Sequence, residues 1–147
     1  MEKFKKFSDF IKPEELNDAP RKPNRKLHWG YHLLLDMSLC NKNIDNENVV
    51  RAFLKELIRE LKMTPIGDPL IAKVDGEDGR GLSAIQLITT SSITFHGDDE
   101  KMSVYLDIFS CKPYDPKQAM QTVIKYFNPK HIGHKFITRD AGDYPKK

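Results

Sequence analysis

Residues 81–96 read Gly81-Leu-Ser-Ala-Ile-Gln-Leu-Ile-Thr-Thr-Ser-Ser-Ile-Thr-Phe-His96, and this stretch sets the pattern for the rest of the chain. Aliphatic and β-branched residues predict one strand over residues 84–89 and a second over residues 93–96. The hydroxyl run at residues 90–92 predicts a tight polar turn between them. The centre of the chain is therefore expected to be a β-hairpin with a serine at its tip.

Further elements lie on both sides of this hairpin. A turn rich in Gly and Asp is predicted at residues 97–101, and a polar, glycine-rich loop at residues 75–81. The remaining strands are predicted over residues 27–37, 69–74, 103–109 and 134–138.

Two amphipathic helices complete the pattern. The first is expected to begin near Asp45, a good N-cap, and the second at Pro116 after the N-cap Asp115. Each carries one apolar stripe at helical spacing. The stripes comprise Val49, Val50, Phe53, Leu54, Leu57, Ile58 and Leu61 in the first helix, and Ala119, Met120, Val123, Ile124 and Phe127 in the second.

The order of elements predicts an α+β two-layer sandwich, in which an antiparallel sheet is covered on one face by two helices. Residues 85–89 and 105–109 carry apolar side chains on both strand faces. The second face is therefore expected to be buried too, most simply in a homodimer or higher oligomer. We expect one domain over residues 27–147, preceded by a loosely ordered extension at residues 1–26 that contains a possible short amphipathic helix.

Composition excludes several classes of protein. The net charge of the 147-residue chain is +3, with basic residues spread along it, which argues against a nucleic-acid partner. No run of about 18 apolar residues predicts a membrane span, and no leader of the secretory type is evident. Two cysteines, Cys40 and Cys111, are typical of a reducing compartment, so we expect a cytoplasmic protein.

The residues alone leave the chemistry open. Thr90, Ser91 and Ser92 fit an ordinary polar turn, and Ser91 lacks the strand-to-helix Gly-x-Ser-x-Gly elbow of serine hydrolases. His28 and His32 share a strand spacing, but no cysteine or acid completes a metal-ligand set. We therefore expect no metal site.

A wider pattern of spacings carries a resemblance. Gly81-Leu-Ser83 is followed at fixed intervals by Ser91, His96, Glu100 and Cys111, with Gly30-Tyr-His32 upstream and Asp115-Pro-x-x-Ala119 downstream. Over roughly residues 29–140 the chain resembles the small prokaryotic S-adenosylmethionine decarboxylases. These are pyruvoyl enzymes of polyamine synthesis, made as self-cleaving proenzymes.

The resemblance implies a role for each matched residue. The chain would be cleaved between Thr90 and Ser91, and Ser91 would become the pyruvoyl group. His96 and Ser83 would assist the ester step, and Cys111 would donate the proton after decarboxylation. Glu100 matches a position that binds the ribose hydroxyls of the substrate.

This sequence departs from the family pattern around the substrate. The family usually has Glu where Thr90 stands, and its bacterial form has His where Ser92 stands. It also has an aromatic residue near the adenine, where residues 75–80 have none. Trp29 is a candidate to stack on the purine instead. The departures leave three hypotheses: decarboxylation of S-adenosylmethionine for spermidine synthesis, the same chemistry on ornithine or arginine, and an unprocessed, non-catalytic homologue.

Overall fold

The computed structural model describes residues 29–140, which form one sheet and two helices. The extension at residues 1–26, with its predicted amphipathic helix, lies outside the described residues. The strands are β1 (Gly30–Ser38), β2 (Leu70–Gly76), β3 (Gly79–Ile88), β4 (Ser91–Asp98), β5 (Ser103–Ser110) and β6 (His131–Arg139), and the helices are α1 (Glu47–Glu60) and α2 (Pro116–Phe127).

The six strands form a single antiparallel sheet in the order β2-β3-β4-β5-β1-β6. Three consecutive hairpins join β2 to β5, and β1 then lies between β5 and β6. The predicted central hairpin is confirmed, because Ile88 faces Ser91 across a turn made by Thr89 and Thr90. The α+β prediction, with an antiparallel sheet and two helices, is confirmed by this architecture.

Both helices pack on the same face of the sheet. Their apolar stripes meet every second residue of the central strands, and Phe53, Phe95 and Phe127 form an aromatic cluster at the centre of this layer. The predicted stripes are buried except for Val49, which is partly exposed.

The start of α1 corrects one prediction. Asn46, not Asp45, is the N-cap, and its side chain accepts hydrogen bonds from the backbone N–H groups of Asn48 and Val49. Asp45 ends a short 3-10 helix (Lys42–Asp45) and pairs with Lys73 instead. Both residue types cap helices well, so composition alone did not separate the two positions. The second helix begins as predicted, with Asp115 as N-cap and Pro116 in the first turn.

The glycine-rich segment at residues 75–81 is also different from the prediction. It is a tight hairpin whose arms belong to β2 and β3, with the turn at residues 77–78, and not an open loop. Gly79 and Gly81 take φ values of 141° and 145°, which residues with side chains rarely adopt. A Cβ at Gly81 would lie 1.9 Å from the carbonyl oxygen of Gly97, so glycine is required at this position of β3.

The face of the sheet away from the helices carries apolar side chains that solvent reaches. Leu87 and Tyr105 are 52% and 47% exposed, and Ile85 and Ile137 lie on the same face. We refer to it as the open face. The apolar residues predicted on both strand faces are therefore present.

Candidate functional site

The turn between β3 and β4 holds the predicted cleavage site. Thr90 has a φ of 56°, and Ser91 is the first residue of β4. The hydroxyl of Thr90 donates to the carbonyl of Thr89 (2.8 Å) and contacts the thiol of Cys111. The chain thus folds so that a strained residue directly precedes the serine at the turn.

Cys111 directly follows β5 and contacts both residues of the predicted cleavage site, Thr90 and Ser91. Its thiol contacts Thr90, and its backbone N–H donates to Ser91 Oγ at 2.9 Å. The β4–β5 pairing, which aligns Ser92 with Phe109, places the end of β5 beside the start of β4. Twenty residues of sequence separate Ser91 from Cys111, so this contact depends on the hairpin between them.

Ser83 and His96 form a second pair on the open face. They are directly opposite each other in the β3–β4 ladder, and Ser83 Oγ lies 3.0 Å from His96 Nδ1. The two side chains are partly or fully exposed. Their hydrogen bond fixes the orientation of the imidazole on the open face.

The structure does not bring the two pairs together within one chain. Ser91 and His96 lie on the same strand, and five residues of strand span about 16 Å. Glu100 lies in the β4–β5 turn beyond His96, exposed and at the end of the sheet opposite Ser91. The predicted residues therefore form a serine–cysteine end (Thr90, Ser91, Cys111) and a histidine end (Ser83, His96, Glu100).

Trp29 lies at the serine–cysteine end. Its ring is 5.6 Å from that of Phe109, and half of its surface is exposed. Trp29 is therefore a surface residue and not part of the core. The exposed ring face has the size and flatness needed for stacking on a heterocycle.

A polar network on the open face was not singled out from the sequence. His32 Nε2 is 2.8 Å from Asp107 Oδ1, and Arg139 Nη1 is 3.1 Å from His32 Nδ1. The Arg139 guanidinium also lies 4.9 Å from the centre of the Phe109 ring. The signal was present in β5, where Asp107 interrupts an otherwise apolar strand on the face shared with Tyr105 and Phe109.

The two cysteines have different surroundings, and both are free. Cys40 is buried beneath the helices, and burial raises the pKa of its thiol to about 12. Cys111 is partly exposed and in contact with the turn, so it is the thiol available for chemistry.

Within residues 29–140, no group of three or more His, Cys, Asp or Glu side chains is placed to hold a metal ion. The helices of this same part of the chain are too short or too polar to cross a membrane.

Comparison with known proteins identifies the family of the chain. The family model described as S-adenosylmethionine decarboxylase matches residues 31–140. An S-adenosylmethionine decarboxylase proenzyme of Clostridium botulinum (strain Hall) is 33% identical over 94 residues, which cover 62% of this chain and 77% of that protein. The proenzyme of Archaeoglobus fulgidus is 25% identical over 112 residues, covering 75% of this chain and 96% of its own.

The fold also has a solved counterpart. The crystal structure of the adenosylmethionine decarboxylase from Aquifex aeolicus superimposes with a TM-score of 0.67 at 22% identity, covering 82% of this chain and 98% of that one. The family match covers residues 31–140 and so contains Ser83, Thr90, Ser91, His96, Glu100 and Cys111, whereas Trp29 and Gly30 lie outside it. The chain therefore belongs to the S-adenosylmethionine decarboxylase family.

Proposed function

We propose that this protein is a self-cleaving, pyruvoyl-dependent decarboxylase of S-adenosylmethionine. The observation that carries the proposal is the contact of Cys111 with both residues of the cleavage site. Its backbone N–H donates a hydrogen bond to Ser91 Oγ, and its thiol contacts the hydroxyl of Thr90. Family membership supports the reaction and the substrate.

Self-cleavage would begin at the Thr90–Ser91 peptide. Ser91 Oγ attacks the Thr90 carbonyl carbon, and the C–N bond breaks to give an ester and a free amine on Ser91. Removal of the Ser91 Cα proton then expels the Thr90 carboxylate. The resulting enamine becomes an imine, and water converts it to a pyruvoyl group with loss of ammonia.

The turn fits this first step. The Cys111 N–H holds Ser91 Oγ in place while leaving the hydroxyl proton free to depart. As the oxygen loses that proton, the same N–H stabilises the developing negative charge.

A pyruvoyl carbonyl at this position would supply the electrophile and electron sink that decarboxylation needs. The partly exposed Cys111 thiol, already at the turn, would donate the proton that replaces the carboxylate. Trp29 offers a ring face at the same end of the sheet for the adenine.

The histidine end would reach this site from a second copy of the chain. If two copies stack their open faces, a two-fold axis between the sheets and perpendicular to the strands reverses the strand direction of the second copy. The serine–cysteine end of one copy then lies over the histidine end of the other. Ser83, His96 and Glu100 of one copy would then complete the site around Ser91 of its partner. The exposed apolar residues of the open face favour such a homodimer.

The reaction product would carry the aminopropyl group used in spermidine synthesis, and we place the enzyme in the cytoplasm. Both statements rest on the family.

Intact mass spectrometry of the purified protein tests the proposal. We expect the 17.0 kDa chain to convert into fragments 1–90 and 91–147, the second without a free α-amine. Ser91→Ala should abolish the conversion, whereas the matched variant Ser92→Ala, which removes the neighbouring hydroxyl, should preserve it. A wild-type chain that stays intact under all conditions would exclude a pyruvoyl enzyme.

Carboxyl-labelled substrates test the specificity. Label should be released as CO₂ from S-adenosylmethionine, and release from ornithine or arginine alone would assign a different substrate. Cys111→Ala should be cleaved but should lose normal protonation of the product. Normal turnover by that variant would remove the proton-donor role from Cys111.

A further inference from the structure

Thr90 has an unusual backbone for its residue type. Of the five non-glycine residues with positive φ in residues 29–140, it is the only β-branched one. The second position of a two-residue turn with positive φ normally holds Gly or Asn. Thr90 is therefore strained at the residue whose carbonyl self-cleavage would attack.

The hydrogen bonds of Thr90 have a definite direction. Its hydroxyl has a single proton, and the carbonyl oxygen of Thr89 can only accept, so Thr90 Oγ1 donates to Thr89. The thiol of Cys111 contacts this same Thr90 hydroxyl, and its sulfur also lies 4.0 Å from the carbonyl oxygen of Thr89. Thr90 thus holds the Cys111 thiol against the turn.

Cys111 also contacts Ser91, the other residue of the peptide bond that would be cleaved. Its backbone N–H holds Ser91 Oγ, so one residue fixes both partners of the bond that would break. Any change at Thr90 therefore affects both the strained peptide and the thiol.

We propose that Thr90 is a positioning residue with two effects. Its left-handed, β-branched backbone accelerates self-cleavage at its own carbonyl, and its hydroxyl keeps the Cys111 thiol in place against the turn. The inference rests on the proposed function and assigns a role to the position where this chain departs from the acid of its relatives.

Cleavage rates of purified variants test the first effect. Thr90→Gly and Thr90→Asn allow positive φ without strain and should cleave about 5–30 times more slowly than wild type, equivalent to about 1–2 kcal/mol. Thr90→Val stays β-branched and should cleave about 5–30 times faster than Thr90→Gly. Thr89→Gly is the matched control, because it loosens the same turn at a residue without positive φ.

Alkylation of Cys111 by iodoacetamide tests the second effect in uncleaved chains. In a Ser91→Ala background, adding Thr90→Val removes the hydroxyl that holds the thiol against the turn, and alkylation of Cys111 should become at least about fivefold faster. The buried Cys40 provides an internal reference in the same spectrum, since it should remain unmodified in the folded protein.

The outcomes separate this inference from the proposed function. If wild type cleaves and releases CO₂ but Thr90→Gly cleaves equally fast, or if alkylation does not change with Thr90→Val, the role of Thr90 is overturned and the enzyme assignment remains. If wild type never cleaves, the proposed function itself fails.

Discussion

Complementation between two inactive variants tests whether the site is shared by two chains. Ser91→Ala removes the nucleophile, and His96→Ala removes the imidazole about 16 Å away on the same strand. Each variant alone should be inactive. When the two chains are co-expressed with different tags, a mixed dimer contains one site with both defects and one with none.

The expected magnitude follows from the pairing. Random association gives about half mixed dimers, so about a quarter of all sites should be intact, and dimers purified on both tags should have about half of wild-type activity. The intact site joins Ser91 of the His96→Ala chain to His96 of the Ser91→Ala chain. Only the His96→Ala chain should therefore be cleaved in the mixed dimer.

Two readouts check this independently. Release of labelled CO₂ reports the active sites, and intact mass identifies which chain was cut. If the doubly tagged dimers neither cleave nor decarboxylate, while wild-type dimers prepared in the same way do, the shared site is wrong and all its groups must come from one chain.

Two further predictions concern stability. Gly81→Ala should lower the free energy of unfolding in urea by at least about 3 kcal/mol, because the new Cβ would collide with the Gly97 carbonyl and the backbone has a positive φ. Gly76→Ala is the control, since a Cβ there meets open space. Equal losses of unfolding free energy in the two variants would contradict the close approach of Gly81 to Gly97. Hydrogen bonds from Lys125 and Tyr126 hold the pKa of Glu56 below its usual value of 4.5. A carboxyl group whose pKa is lowered in the folded state stabilises the protein at pH values above its unfolded-state pKa, and this stabilisation is lost as the pH falls through the folded-state pKa. Calorimetry should therefore show a larger fall in Tm on acidification for wild type than for Glu56→Gln. Parallel curves of Tm against pH for the two proteins would refute this.

The regular elements could be predicted because each depends on local periodicity. The apolar stripe of α1 and the Asp115-Pro116 start of α2 are encoded within a few residues. The hairpin at residues 75–81 was not found, because its glycines carry no strand pattern and only pairing with β2 makes it extended. The place of β1 between β5 and β6 depends on long-range pairing that no short window contains.

The candidate site was predicted in its residues but not in its geometry. The resemblance named Ser91, His96 and Cys111, and the structure joins only Ser91 to Cys111. The distance between Ser91 and His96 follows from the rise per residue of a strand, since Ser91 falls in the predicted turn and His96 on the hairpin arm that follows it. The contacts of Asp107 and Arg139 with His32 join strands distant in sequence, so no short stretch of sequence predicts them.

The strand order also determines what cleavage between Thr90 and Ser91 would leave behind. Residues 1–90 contribute β1, β2 and β3, and residues 91–147 contribute β4, β5 and β6, so the two pieces interleave, with β1 enclosed by strands of the other piece. Neither piece could leave without breaking ladders on both sides of β1. The mature protein would remain a single folded body whose unfolding is also a dissociation, and its Tm would fall on dilution more steeply than that of uncut Ser91→Ala.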